Sequence, residues 1–206
     1  MKARLLEKGV PAERLHTIPV WTRQDEVTPV SKAENPLTHE LGLADKTVVM
    51  YSGNAGLAHQ FGPVLEAMRR LRDRDDLFFL FAGNGPRRAE IEAFARTHAL
   101  PNFRYLDYFD REQLRYSLSV GDIHLVTLRN EAAGISVPSK VSGIMAAGRP
   151  VVFVGPVASE PAEAIRQAEA GFVMDPEGSS DPADALVQVL LKLAGNTVLR
   201  DHLGAR

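Results

Sequence analysis

The chain has 206 residues, and 45% of them are hydrophobic, which is enough to bury one sizeable core in a single domain. Its 24 basic and 26 acidic residues are mixed along the chain and give a formal net charge of -2, so no nucleic-acid partner is indicated. The absence of cysteine excludes disulfides and cysteine-based zinc sites.

The first 45 residues are predicted to be a lead-in segment and linker. Residues 1–9 have the pattern of a helix that ends at Gly9, without the apolar core of a signal peptide, so we expect a cytoplasmic location. Residues 17–20 are strand-like. Residues 21–45 are polar and contain Pro29 and Pro36, which predicts a connecting loop with one helical turn. Apolar runs reach only the length of strands, so no transmembrane segment is predicted.

From residue 46 onward, segments with strand composition alternate with segments of helical period. The strand-like segments lie near residues 47–52, 78–82, 103–106, 122–127, 150–154 and 171–174. This alternation predicts the α/β class: a single Rossmann-like domain whose mainly parallel sheet of about six strands carries helices on both faces. The expected divisions are the lead-in segment at residues 1–45, a Rossmann-like core at 46–195 and a C-terminal tail at 196–206.

Two of the predicted helices have clear start signals. One follows Gly62 and Pro63, and the other follows Asp181 and Pro182, a favourable N-cap and first-turn pair. Their apolar faces consist of Val64, Met68 and Leu71 in the first helix, and of Leu186, Leu190 and Leu193 in the second.

Glycine and proline gather directly after three predicted strands, at residues 53–56, 83–86 and 155–156. In a parallel sheet these turns lie at the carboxyl ends of the strands, where open α/β folds bind ligands. Glycine lets the backbone approach a phosphate closely, and the free N–H groups of a following helix attract an anion. The alternative is that each glycine only makes a tight turn, because neither a dinucleotide fingerprint nor a P-loop is present.

The most specific stretch is residues 130–152, NEAAGISVPSKVSGIMAAGRPVV. It resembles the donor-site segment of GT-B glycosyltransferases of family 4 (group 1), in which a glutamate-containing loop leads through Pro-x-Lys into a helix that ends Met-Ala-x-Gly-x-Pro-Val-Val. The matching residues are Pro138, Lys140, Met145, Ala146, Gly148, Pro150, Val151 and Val152. Residues 8–11, 17–20, 51–54, 82–86 and 170–171 extend the resemblance. It looks most like bacterial surface-polysaccharide transferases of the fucosyl and N-acetylfucosaminyl type.

The resemblance implies the nucleotide-sugar-binding, C-terminal half of a retaining, metal-independent glycosyltransferase. Such an enzyme moves a sugar from a UDP- or GDP-sugar to a glycan or lipid-linked acceptor in polysaccharide synthesis, in the cytoplasm or at the inner face of the membrane. The residues before 46 are too few for the family's acceptor domain, so we expect the isolated chain to be inactive. Two alternatives remain: a non-catalytic subunit of a split transferase complex, and half of a GT-B-type nucleotide-sugar epimerase.

By the same resemblance, each part of the donor has its own residues. The diphosphate is expected at Lys140 and the 53–56 turn, the sugar hydroxyls around Glu131, and the base beside Tyr108. The candidate catalytic residues are Lys140 and Glu131, and the candidate donor-binding residues are Gly53, Asn54, Gly56, His59, Gly83, Asn84, Gly85, Tyr108, Gly134, Ile135, Ser139 and Gly143. The structural alternatives are a solvated lysine, an exposed loop glutamate and a half-buried packing tyrosine.

The chain departs from the family pattern in two places. Ser139 and Gly143 stand in the region of the family's second glutamate, which holds the ribose, so Ser139, Ser142 or backbone groups are expected there instead. Residues 57–59 replace an arginine and a lysine that many relatives place near the diphosphate. His59 and backbone N–H groups are therefore candidates to substitute for them. The alternative for His59 is a polar surface residue.

Other motifs favour no rival chemistry. The Asp-x-Asp pattern at residues 73–75 lies in a charged cluster at a predicted helix end and is interpreted as solvated. The six histidines form no ligand pair, and no serine has a nucleophile-elbow pattern around it, so neither a metal site nor a hydrolase site is predicted.

Overall fold

The computed structural model describes residues 2–16, 18, 27–136 and 139–205. Its strands are β1 (Thr47–Ser52), β2 (Leu77–Ala82), β3 (Phe103–Leu106), β4 (Ile123–Thr127), β5 (Val151–Val154) and β6 (Gly171–Met174). They form one six-stranded sheet in the order β3-β2-β1-β4-β5-β6, and every neighbouring pair is parallel. The predicted fold class is therefore confirmed.

The helices connect the strands. They are α1 (Lys2–Glu7), α2 (Pro36–Glu40), α3 (Gly62–Arg70), α4 (Arg88–Thr97), α5 (Leu114–Val120), α6 (Lys140–Ala146), α7 (Glu160–Gln167), α8 (Pro182–Ala194) and α9 (Thr197–Gly204). Short 3₁₀ turns lie at residues 12–14, 111–113 and 130–132. Within the described part of the chain, none of these helices combines the length and apolar character that a membrane span needs.

Local sequence chemistry accounts for the helix boundaries. The Asp181 carboxylate accepts a hydrogen bond from the Asp184 N–H at 2.9 Å, with Pro182 in the first turn, as the sequence predicts. The helical turn expected in the linker is α2, whose N-cap is Asn35. The strand-like segment at residues 17–20 lies outside the described residues, apart from Ile18.

Both faces of the sheet are covered, because successive side chains of each buried strand point to opposite faces. One face packs against α3, α4 and α8, and the other against α2, α5, α6 and α7. The apolar faces predicted for two helices are buried, at Val64, Met68, Leu71, Leu186, Leu190 and Leu193. The core therefore consists of two apolar layers, one on each face of the sheet, with β1, β2, β4 and β5 between them.

The amino edge of the sheet is closed by a buried carboxylate. Asp122 lies just before β4 and accepts hydrogen bonds from the Val48 N–H at 2.8 Å and from the Lys32 ammonium at 2.7 Å. One side chain thus links the linker, β1 and β4. A cavity of about 470 Å³ lies beside this cluster, on the opposite edge of the sheet from the glycine turns.

Candidate active site

The loops after β1, β2 and β4 meet at the carboxyl edge of the sheet. The Ala55 N–H donates to the Asn84 carbonyl at 2.7 Å, which joins the first glycine turn (residues 53–56) to the second glycine turn (residues 83–86). The Arg129 N–H donates to the Ala58 carbonyl at 2.8 Å, which joins the first loop to the one after β4. The spatial order β2-β1-β4 causes this convergence of loops that are distant in the chain.

Two turn glycines allow the loops to approach this closely. The backbone carbonyl of Gly53 occupies the space into which a side chain on Gly83 would project, and the Asn54 side chain and Ala55 backbone do the same for Gly85. Both Gly83 and Gly85 also have positive φ angles, of 132° and 133°. The glycines of the second turn therefore serve the contact between the turns.

The first turn keeps backbone donors available. The Gly53 and Ala55 amides are used within the fold, by the carbonyls of Ala82 and Asn84. Among the described residues, no backbone carbonyl accepts from the amides of Asn54 and Gly56. The helix that follows, α3, begins at Gly62 as predicted, nine residues after Gly53, so the available backbone donors of this turn belong to the loop itself.

Lys140 is the first residue of α6, and its ammonium is buried. The nitrogen has no hydrogen-bond partner among the described residues and lies 4.0 Å from the centre of the Tyr51 ring. It also lies 3.3 Å from the position that a Cβ on Gly53 would occupy. Burial lowers the pKa of Lys140 to about 7. The alternative of a solvated lysine is wrong, and a cation stands beside the first glycine turn.

His59 is also buried, so the alternative of a surface histidine is wrong. Its Nδ1 lies 2.6 Å from the Thr127 carbonyl, to which it donates in the neutral tautomer. Burial, reinforced by the nearby Lys140, lowers the pKa of His59 to about 4. At neutral pH this ring offers hydrogen bonding without positive charge, so His59 does not supply the charge of the arginine and the lysine for which the resemblance made it a candidate substitute.

The second turn and the loop after β3 form an exposed neighbouring surface. Tyr108 has an exposed fraction of 59%, and its ring edge lies 3.2 Å from the Cβ position of Gly83, so the ring contacts the second turn and keeps much of its surface open to solvent. The Asn84 side-chain oxygen accepts from the Gly85 N–H at 2.8 Å. An aromatic face and amide groups are thus available here to a planar ligand.

The segment after β4 holds the remaining candidates. Glu131 lies in a 3₁₀ turn with a side chain 77% exposed, and its carboxylate is 3.5 Å from Arg129. Ile135 is exposed, and Gly134 has a φ of 72°. The side chain of Glu131 is therefore solvated, which agrees with the alternative that it is an exposed loop glutamate. Pro138, which carries part of the resemblance, lies outside the described residues.

The start of α6 holds the candidates for the ribose. Ser139 precedes Lys140, and its carbonyl accepts from the Ser142 hydroxyl at 2.9 Å. Gly143 follows Lys140 by three positions, so the two share a face of the helix.

Residue patterns missed two partners of these candidates. Tyr51 lies in β1 beneath Lys140, and Thr127 at the end of β4 holds the ring of His59. Tyr51 stands two residues before Gly53, so the alternation of side chains along a strand could have placed Tyr51 on the same face of the sheet as Gly53. The Thr127 contact depends on the packing of a loop across β4. Among the described residues, no three histidine, aspartate or glutamate side chains cluster as metal ligands would.

At the carboxyl edge of a parallel Rossmann-like sheet, where open α/β folds bind ligands, the Lys140 ammonium lies beside a glycine turn without a hydrogen-bond partner among the described residues. A model of the family of glycosyl transferases group 1 matches residues 46–193. The chain belongs to this family.

Three known proteins show the extent of the similarity. The putative colanic acid biosynthesis glycosyl transferase WcaI of Escherichia coli (strain K12) is 31% identical over 205 residues, which are 98% of this chain and 50% of that protein. HepE of Anabaena, in complex with UDP and glucose, has a TM-score of 0.76 and 16% identity, covering 99% of this chain and 55% of that one. The C-terminal domain of a group 1 family protein (LpcC) from Francisella tularensis has a TM-score of 0.66 and 16% identity, and the match covers 89% of this chain and 92% of that one.

The chain spans half or less of the length of the curated relatives it matches. In extent it corresponds to the isolated C-terminal domain from Francisella tularensis. The structural matches are below 25% identity, so they support the fold and not the chemistry.

Proposed function

We propose that this chain is the donor-binding half of a retaining, metal-independent glycosyltransferase that moves a sugar from a UDP- or GDP-sugar to a glycan or lipid-linked acceptor in polysaccharide synthesis. The observation that carries the proposal is the buried ammonium of Lys140, which has no counter-ion among the described residues and lies beside the Gly53 turn. A buried cation without a partner is costly, and an anionic ligand at this turn would supply the partner.

The diphosphate is the part of the donor that fits this charge. When the bond from the sugar C1 to the phosphate oxygen breaks, the electron pair stays on the phosphate, and negative charge grows there. We assign the stabilisation of that charge to the Lys140 ammonium and to the Asn54 and Gly56 amides, which no backbone carbonyl among the described residues uses. Because a bound dianion favours the charged form of the lysine, we expect donor binding to raise the pKa of Lys140 from about 7.

The other parts of the donor are assigned to surfaces around this point. We assign the base to the exposed surface of Asn84 and Tyr108, the sugar hydroxyls to Glu131 and the backbone near Gly134, and the ribose to the start of α6 at Ser139 and Gly143. Aromatic stacking suits a base, and a solvated carboxylate can accept from several hydroxyls. The UDP bound by the structural neighbour HepE supports a uridine nucleotide as the first ligand to test.

The acceptor is assigned to a second half. Four of the exposed large apolar side chains lie on loops at the carboxyl edge, at Leu57, Tyr108, Ile135 and Val157. Such side chains at one edge fit a surface that another domain or subunit covers. The chain's coverage of half of WcaI agrees with a missing domain of similar size. We expect no appreciable transfer by this chain alone, and robust turnover would contradict that expectation.

Calorimetric titration of the chain with UDP, GDP, ADP and NAD tests the donor site. We expect UDP or GDP to bind and Lys140→Met to weaken that affinity by at least about tenfold, because a charge-assisted contact to phosphate is lost. Lys192→Met is the matched control, since Lys192 also lies over an aromatic ring, at 5.3 Å from the centre of Phe172. The proposal would be refuted if neither UDP nor GDP binds, or if Lys140→Met leaves the affinity for them unchanged.

A further inference from the structure

Tyr51 touches both parts of the diphosphate site from below. It is fully buried in β1, and its ring face meets the Lys140 ammonium at 4.0 Å from the ring centre. Its hydroxyl donates to the Asn54 carbonyl at 2.8 Å. One side chain therefore contacts the cation through its ring and the first glycine turn through its oxygen.

We propose that Tyr51 is a positioning residue for the donor site, whose ring holds the Lys140 ammonium and whose hydroxyl holds the first glycine turn in the arrangement that receives a nucleoside diphosphate. This inference rests on the proposed function for the identity of the ligand. It assigns to Tyr51 a role that acts through Lys140 and through the backbone of the turn.

The ring face is the favourable environment that the structure offers to the ammonium. The nitrogen is buried without a hydrogen-bond acceptor among the described residues, and the start of a helix is an unfavourable place for a cation. The negative face of an aromatic ring attracts a cation, most strongly where water is excluded. The ring itself is held by edge-on contacts with Phe61 at 5.0 Å and His59 at 5.9 Å. Its position is therefore set by the core.

The hydroxyl fixes one peptide group of the turn. Burial raises the pKa of Tyr51 above its usual value, so the hydroxyl keeps its proton and donates. The Asn54 carbonyl accepts from Tyr51, and the N–H of the same peptide group, on Ala55, donates to Asn84 at 2.7 Å. Both ends of this peptide are tied, which orients the neighbouring amides of Asn54 and Gly56.

A double-mutant cycle on UDP affinity separates the two contacts. Tyr51→Leu removes the ring face and the hydroxyl together, so we expect roughly fiftyfold weaker binding in the native background but only about fivefold, the share of the hydroxyl, in a Lys140→Met background. Tyr51→Phe keeps the ring and removes the hydroxyl, so its roughly fivefold loss should be equal in both backgrounds. Equal losses for Tyr51→Leu in both backgrounds would overturn the positioning of Lys140, and unchanged affinity of Tyr51→Phe would overturn that of the turn.

Trace acetylation followed by mass spectrometry tests the ring contact without nucleotide. A lysine of lowered pKa reacts quickly when a reagent reaches it, so slow reaction reports burial. We expect Lys140 to react more slowly than Lys192 in the native chain and in Tyr51→Phe, and several-fold faster in Tyr51→Leu. An unchanged rate in Tyr51→Leu would overturn the inference.

Circular dichroism checks folding, and Tyr51→Met, which refills the space without an aromatic face, replaces Tyr51→Leu if that variant does not fold. If the native chain binds neither UDP nor GDP, the proposed function fails, and acetylation still decides whether the Tyr51 ring holds Lys140.

Discussion

The backbone carbonyl of Gly53 fills the space into which any side chain on Gly83 would project. The two residues directly follow neighbouring parallel strands, β1 and β2, and their contact packs the first glycine turn against the second. The available donors of the first turn thus depend on the absence of a side chain in the second.

Gly83→Ala should break this contact. The added Cβ meets backbone that cannot move cheaply, and the φ of 132° is unfavourable for alanine, so we expect the free energy of unfolding to fall by about 1–3 kcal/mol. UDP binding should weaken with it. Gly62→Ala is the control, because its new Cβ meets no atom within 4 Å. Urea denaturation and calorimetry measure both effects, and native behaviour of Gly83→Ala would contradict the packing described.

Lys140→Met should stabilise the chain near neutral pH while impairing nucleotide binding. The folded pKa of Lys140 is about 7, below the ordinary 10.5, so the unfolded chain binds one more proton between these values. The free energy of unfolding of the native chain therefore rises with pH across that window.

The Lys140→Met variant lacks this pH dependence. Its free energy of unfolding should therefore exceed that of the native chain by at least about 1 kcal/mol at pH 7, and the difference should shrink toward pH 10. Denaturation at both pH values checks this, with Lys192→Met as the exposed control. A variant less stable than the native chain at pH 7 would contradict this prediction, because it would show that the buried ammonium stabilises the folded state.

Two buried histidines should make the fold sensitive to mild acid. Burial lowers the pKa of both His59 and His124 from 6.5 to about 4. Between these values the unfolded chain binds the protons, so the free energy of unfolding falls as the pH drops, by about 1–2 kcal/mol per histidine between pH 7 and pH 5. Urea denaturation across this range measures the slope. His124→Asn should reduce the slope by about one proton, and an unchanged slope would show that His124 does not contribute.

Asp122 should be the costliest acidic side chain to remove at the amino edge. Asp122→Ala leaves the buried Val48 N–H and the Lys32 ammonium without this partner, which we expect to cost about 2–3 kcal/mol of unfolding free energy. Asp73→Ala is the control, because that side chain is 89% exposed, and a change within about 0.5 kcal/mol is expected. Equal effects of the two substitutions in thermal or urea denaturation would contradict the linking role of Asp122.

Local patterns in the sequence predicted the strands and the helix starts well. The segment at residues 47–52 was placed correctly because a run of β-branched residues before a glycine is a local signal, and Asp181 before Pro182 marks a helix start in the same way. The resemblance to group 1 glycosyltransferases was recognisable from residues 130–152 alone, and the family match confirms the group. The roles of Lys140, Glu131 and the other candidate residues stay predictions.

The amino-acid sequence by itself determined the α/β class, the order of the elements and the family, because each depends on residues close together in the chain. Only the tertiary structure decided the environment of the site. His59 is neutral because burial lowers its pKa, and the ring is held in its buried position by the Thr127 carbonyl, 68 residues away in the chain. Lys140 is desolvated because the turn after β1 and the ring of Tyr51 enclose it. Desolvation depends on what packs around a group in three dimensions, and no local pattern carries that information.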